Sequence, residues 1–414
     1  MDLSFLPSFP LPLSYPLLFG VLLVAGMLGG EMARAARLPR IIGYVVVGFV
    51  VAPLTQAMGL EPLIERARIL VDLALGLALF DLGRRMDLQW MKRDWTLAAA
   101  GLAEALLAFA AVLWCLLALG FSAVNASIVA SICMATSPVV VMLVVQDDKA
   151  EGQVTERVLN LVALNSLLAS ILTTILLASA HLESRMAVET ALLHPAYLFM
   201  GSVLLGGAIA ACARFVARAV EKTADLHFTL IAGMVVGAVG LSVILRLSVI
   251  LTLLAFGLFT RNDARKYDVL DVSLAPASRL LYIVLFVITG ASLPPSALLT
   301  GAAAGMALAG ARLAGKLAGA FAFSLLGGLR ARQAAGLALG LAPVSTLALM
   351  LYYGVARQFP GFADEVEAAF LSMVIVMEVL GPIATQWGLR LAGETVPEPA
   401  ATGHAARADL AGDA

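Results

Sequence analysis

The chain has 414 residues, of which 61% are hydrophobic and 13% charged, about half the roughly 25% charged share of a soluble domain. With a mean hydropathy of +0.96 this composition excludes a soluble globular enzyme, a disordered chain and a coiled coil. The formal net charge of −1 carries no footprint for nucleic acid, so the class that remains is an all-α polytopic membrane protein. The three cysteines, Cys115, Cys133 and Cys212, lie in apolar stretches, where no disulfide framework is expected.

A membrane-spanning helix needs about 20 mostly apolar residues. Residues 1–15 precede the first such stretch; Pro7, Pro10 and Pro12 and the lack of a basic n-region set this segment apart from a signal peptide. Thirteen stretches follow, at 16–34, 41–58, 68–84, 95–119, 122–146, 157–180, 196–213, 226–245, 247–260, 279–293, 300–327, 333–356 and 366–389. The stretch 226–260 is too long for one helix and barely long enough for two, and charge decides it. With two crossings there and the N-terminus outside, twenty of the 27 Lys and Arg fall on the cytoplasmic side. Five (Arg66, Arg68, Arg185, Arg246 and Arg357) fall outside, and Arg312 and Lys316 lie within a span. A single crossing would put the basic 261–279 loop outside, against the positive-inside rule. The expected layout is a membrane domain over 16–390, with a disordered cytoplasmic tail at 391–414. No nucleotide-binding domain is present in this sequence, and the expected location is the plasma membrane of a bacterium.

Two of these stretches carry proline near mid-membrane with hydroxyl residues beside it: Ala135-Thr136-Ser137-Pro138-Val139 and Ala342-Pro343-Val344-Ser345-Thr346. Proline removes a backbone donor and disfavours helix at the residue before it. Unwound backbone at membrane depth survives only inside protein or along a water-filled cavity. One such proline is commonly a simple kink. Two, at similar places in each half of the chain, point to the binding site of an inverted-repeat transporter. The stretch after the first break contains Asn165-Ser166, and the one before the second contains Arg312 and Lys316, four residues apart and therefore on one helix face. Charged groups at that depth are costly and mark a pathway or a paired group. The site is therefore expected to include Thr136, Ser137, Pro138, Asn165, Ser166, Arg312, Lys316, Pro343, Ser345 and Thr346. Gly310–Lys316 also fits the start of a phosphate-loop pattern, but Leu317 replaces the required Ser/Thr and no strand precedes it.

Arg37-Leu38-Pro39 followed by Ile42-Gly43-Tyr44-Val45-Val46-Val47-Gly48 resembles the first repeat of monovalent cation:proton antiporters of the CPA2 type. Ala135-Thr136-Ser137-Pro138-Val139-Val140 looks like their first crossover. Leu285–Ala291 and Gly336–Leu349 are similar to their later landmarks. The likeness runs over roughly residues 16–390. It implies the sodium/proton antiporter fold, with a dimerisation domain, a transport domain whose two discontinuous helices cross and move as an elevator, and a homodimer. Antiporters of this type usually place an aspartate in the span after the first crossover, where it binds proton and cation in turn. Here Asn165 is followed by Ser166, and the crossover reads Thr-Ser-Pro where some relatives have Thr-Asp-Pro. A serine cannot exchange a proton for a cation near neutral pH.

Other groups must then titrate. Glu31, Asp72 and Asp81 lie near span ends beside arginines and read as interfacial ion pairs. Glu378, near the middle of the last span, is a candidate proton carrier and equally a structural partner for Lys316 or Arg312. Glu104 and Lys316 are the other two candidates. The leading expectation is a secondary transporter exchanging protons for Na+ or K+. An anion or organic-solute transporter on the same fold follows from the basic pair, and a transport-inactive membrane sensor from the absent carboxylates. An enzyme is not expected: His181, His194, His227 and His404 lie in loops, at span ends or in the tail, and no membrane-buried nucleophile–base pair is apparent. No cofactor and no metal are expected.

Overall fold

The computed structural model describes residues 15–57, 61–86, 94–183, 188–221, 223–262, 275–344 and 346–395. Among them the chain forms fifteen α-helices and no strand. In chain order these are α1 (Tyr15–Ala35), α2 (Arg40–Ala57), α3 (Glu61–Arg85), α4 (Trp95–Ala118), α5 (Ala123–Cys133), α6 (Pro138–Asp147), α7 (Gln153–Glu183) and α8 (Val188–Ala219). They continue with α9 (Ala224–Ile244), α10 (Val249–Asn262), α11 (Ala275–Ser292), α12 (Pro295–Leu326), α13 (Ala331–Gly340), α14 (Thr346–Gln358) and α15 (Pro360–Ala392). Each apolar stretch of the sequence holds one helix, except 122–146 and 333–356, which hold two apiece. The stretch 226–260 is divided between α9 and α10. Among the described residues, seven segments are long and apolar enough to cross a bilayer, the α5–α6 pair counting as one; α10 and the apolar parts of α2 and α11 are shorter.

Local chemistry explains both breaks. Ser122 caps α5, its Oγ accepting from Asn125 N at 3.4 Å, and α5 ends at Cys133. Ser137 caps α6, its Oγ accepting from Val140 N at 3.4 Å, and Pro138 takes the first helical turn, where its missing donor is harmless. Pro343 lies in the unwound segment between α13 and α14, where its missing donor opposes helix.

The helices pack as two bundles. One contains α4, α5, α6, α7, α12, α13, α14 and α15; the other contains α1, α2, α3, α8, α9, α10 and α11. The order of elements repeats. Three helices of the second bundle, one of the first, a broken pair and one more of the first make up α1–α7 and again α9–α15. Helix α8 stands between the two repeats.

Glycines set the closest approaches within the first bundle. A Cβ on Gly315 of α12 would lie 2.5 Å from Leu107 O of α4, and one on Gly319 would strike the backbone of Glu104. Small residues let membrane helices come this near, and here they bring the segment between them, with Lys316, against α4. Gly336 of α13 and Gly388 of α15 face each other, a Cβ on either one falling 2.5–2.6 Å from the other's carbonyl oxygen.

Helix α15 continues to Ala392, and Glu394 follows just beyond its end. Its carboxylate accepts from Val154 N and Thr155 N, each at 2.7 Å, because the first turn of α7 has donors to satisfy. Residues 1–14 and 396–414, which hold most of the expected N-terminal segment and tail, lie outside the described residues.

Gly388→Ala is expected to lower stability by roughly 1–3 kcal/mol, because overpacking forces α13 and α15 apart. Gly354→Ala, where a Cβ meets nothing within 4 Å, is expected to cause no loss. Thermal unfolding in detergent measures both.

Candidate functional site

The two breaks meet in the middle of the first bundle. Ser137 N donates to Pro343 O at 3.1 Å, joining one unwound segment to the other. The C-terminal ends of α5 and α13 both point into this crossing, with carbonyls that have no helical partner and a partial negative charge. Arg312, projecting from α12 and fully buried, answers both ends. Its Nε donates to Cys133 O at 2.9 Å and its Nη2 to Ala135 O at 2.7 Å on the first segment. Its Nη1 and Nη2 donate to Ala342 O and Pro343 O on the second, at 2.5 and 3.1 Å. A rigid planar fork of donors suits this bridging task.

One helical turn further along α12 is Lys316, also fully buried. Its Nζ forms an ion pair with Glu104 Oε2 of α4 at 2.8 Å, where both side chains are 0% exposed. The same Nζ donates to Thr136 Oγ1 at 3.0 Å. Asn165 Nδ2 of α7 donates to the other carboxylate oxygen, Glu104 Oε1, and lies 3.5 Å from Thr136 Oγ1. The Thr136 hydroxyl donates to Leu341 O at 3.2 Å, in the second break. Asn165 Oδ1, buried in the same cluster, accepts no hydrogen bond among the described residues. The cluster therefore holds one carboxylate, one ammonium, a hydroxyl and an amide oxygen with spare capacity, drawn from α4, α7, α12 and both breaks.

The expected residues divide around this cluster. Thr136, Asn165 and Lys316 meet in it; Arg312 lies one turn away, bridging the two breaks, and Pro343 contributes its carbonyl to that bridge. Ser137 and Pro138 build the start of α6. Ser166 is buried, but its Oγ donates to Val162 O at 2.8 Å, within its own helix, so its hydroxyl serves the α7 backbone. Thr346 opens α14 and is 8% exposed; Ser345 lies outside the described residues. Glu378 is buried in α15, and the carboxylate that pairs with Lys316 is Glu104. Away from the crossing, Asp81 pairs with Arg84 and Arg85 at 2.9 and 3.2 Å, as its position among arginines suggested. Glu31 pairs with Arg40 at 3.0 Å.

Glu104 was the least obvious member, a lone acid in an Ala- and Leu-rich span. The repeat offered a signal. Helices α4 and α12 hold the same place in their respective halves, each just before a broken pair, so the deep acid of one half and the deep bases of the other sit on repeat-related helices.

The transmembrane sodium/hydrogen exchanger family model matches residues 19–390, so the chain belongs to that family. No curated protein matches the sequence. Among solved structures, the chain is similar to the sodium proton antiporter MjNhaP1 from Methanocaldococcus jannaschii at pH 8. The TM-score is 0.68 at 17% identity, over 93% of this chain and 99% of that one. An electron-microscopy structure of the same antiporter gives 0.68 at 18% identity, over 92% and 98%. At that identity the likeness shows the fold.

Arg312→Met is expected to cost roughly 3 kcal/mol or more, because it strands several buried carbonyls at about 1–3 kcal/mol each. Arg312→Lys recovers only part of this, since one ammonium cannot span both segments. Thermal unfolding of the purified protein compares the two.

Proposed function

We propose that this member of the sodium/hydrogen exchanger family is a proton-coupled antiporter for a monovalent cation, Na+ or K+. In this reading it works as a homodimer in a bacterial plasma membrane, with its N-terminus outside and its C-terminus in the cytoplasm. The observation that carries the reading is the buried pair of Lys316 and Glu104 at the crossing. An unneutralised ion at such a site costs several kcal/mol. The single carboxylate of the cluster can balance one positive charge, either the Lys316 ammonium or an incoming cation. Entry of the cation therefore requires Lys316 to release its proton, and return of the proton to Lys316 expels the cation.

The coordinating oxygens are at hand. A cation replacing the ammonium meets the Glu104 carboxylate, the Thr136 hydroxyl and Asn165 Oδ1, the buried acceptor with no other partner among the described residues. Oxygen donors of this kind suit hard monovalent cations. Glu104 then performs the task that the resemblance assigns to an aspartate on α7, and Ser166 has no part in it. In this reading the proton carrier is Lys316, which is paired with the cluster's carboxylate. Arg312 keeps the crossing intact while the Lys316 charge comes and goes. Movement of the first bundle against the second, as an elevator, carries the site from one side to the other.

The alternative of an anion carrier needs basic donors free to hold an anion at the crossing. Glu104 balances Lys316, and the Arg312 donors are engaged by four carbonyls, so no observation favours it.

Everted vesicles with a pH-sensitive dye test the proposal. Addition of Na+ or K+ is expected to dissipate an imposed proton gradient; Glu104→Gln is expected to abolish the response and Ser166→Ala to preserve it. Absence of any response to Na+, K+ or Li+ at acidic, neutral and alkaline pH would end the antiporter reading. Loss in Ser166→Ala with retention in Glu104→Gln would move the site from Glu104 to Ser166.

A further inference from the structure

At the end of α6 two adjacent acids reach in different directions. Asp148 stays within its own bundle, accepting from Gln386 Nε2 at 3.0 Å and Arg390 Nε at 3.2 Å, both on α15. Asp147 crosses to the other bundle. A single oxygen, Oδ1, accepts from Arg40 Nη1 of α2 at 2.9 Å and from Arg279 Nη2 of α11 at 3.0 Å. Asp147 and Arg40 are largely withdrawn from solvent, at 12% and 14% side-chain exposure, so this contact is screened less than a surface pair. Arg40 is also anchored from behind by Glu31 of α1 at 3.0 Å, which limits how far it can follow a moving partner.

We infer that Asp147 is an ion lock between the two bundles: its bonds to Arg40 and Arg279 hold one end point of the transport movement and must break for the other to form. The inference rests on the antiporter reading above, because it needs the bundles to shift relative to one another. Charge-assisted bonds of 2.9–3.0 Å do not survive a slide of several ångströms when one partner is tethered. The lock is formed in the present arrangement, so removing it depopulates this arrangement in favour of its alternative. Asp148 moves with its partners on α15, and its bonds are the same at both end points.

Spin labels at Met32→Cys on α1 and Arg332→Cys on α13 report the separation of the bundles. Both positions are exposed, and Cys115 and Cys212 are replaced by serine in this background. In the full-length protein in lipid nanodiscs, two distance populations are expected. Asp147→Asn should change their ratio by about fivefold or more, the lower range of measured couplings between sites. Arg279→Gln, which removes the more exposed partner, should shift the ratio the same way by less, and it serves as the second variant should Asp147→Asn fold poorly. Asp148→Asn should leave the ratio unchanged. Two populations with a ratio insensitive to both Asp147→Asn and Arg279→Gln would overturn the lock while leaving the antiporter reading standing. An equal shift in Asp148→Asn would also overturn it, by removing the distinction between the two acids. A single fixed distance with and without Na+ or K+ would remove the bundle movement, and with it both readings.

Discussion

The arrangement at the centre of this protein depends on the cost of burying charge. Lys316 and Glu104 are both 0% exposed in the middle of a membrane bundle, 2.8 Å apart. Neither is tolerable there alone. Together they are neutral, and their remaining polar atoms reach Thr136 and Asn165. Much of the surrounding architecture permits this one contact. Gly315 and Gly319 remove side chains from the α12 surface on either side of Lys316, so that α4 comes close enough to present its acid. The break after α5 turns Thr136 out of helical geometry and frees its hydroxyl for the cluster.

Arg312 and Lys316 share a helix face, but they do different things. The guanidinium is spread over backbone carbonyls of both unwound segments and completes the ends of α5 and α13. Its charge offsets two helix dipoles whose negative ends converge. The ammonium is a compact charge held by one carboxylate and one hydroxyl. In the proposed exchange, a permanently charged structural group beside an exchangeable one is a workable division: the crossing stays intact while the balance of charge next to it changes.

The division into two bundles gives the breaks a mechanical setting. All four half-helices belong to one bundle, with α4, α7, α12 and α15 around them. The cluster is thus assembled entirely within one bundle, as the proposed movement requires. Contacts between the bundles are fewer, and those at the end of α6 are polar; polar contacts can be exchanged for water at the membrane surface, whereas apolar packing must be exposed to be broken.

The sequence by itself determined the class of protein, the position of the apolar stretches and the two breaks, because hydropathy and proline act locally. Its charge pattern decided that 226–260 is two helices, and Arg312 and Lys316 stood out because a base at mid-membrane is conspicuous in any chain. Local signals could not say what those bases touch. Glu104 is 212 residues from Lys316 along the chain, and nothing near either residue names the other. Ser166 looked like a site residue by its place in the chain, yet its hydroxyl turns back to its own helix; the direction of a side chain is fixed by helix rotation, which the neighbours impose. Asp147 and Asp148 are alike in sequence, and only the packing of α2, α11 and α15 around the end of α6 sends one across the bundle boundary and keeps the other within it. Burial and breakage are properties of a segment, and the sequence carries them. Pairing belongs to two segments brought together, and tertiary structure alone decides it.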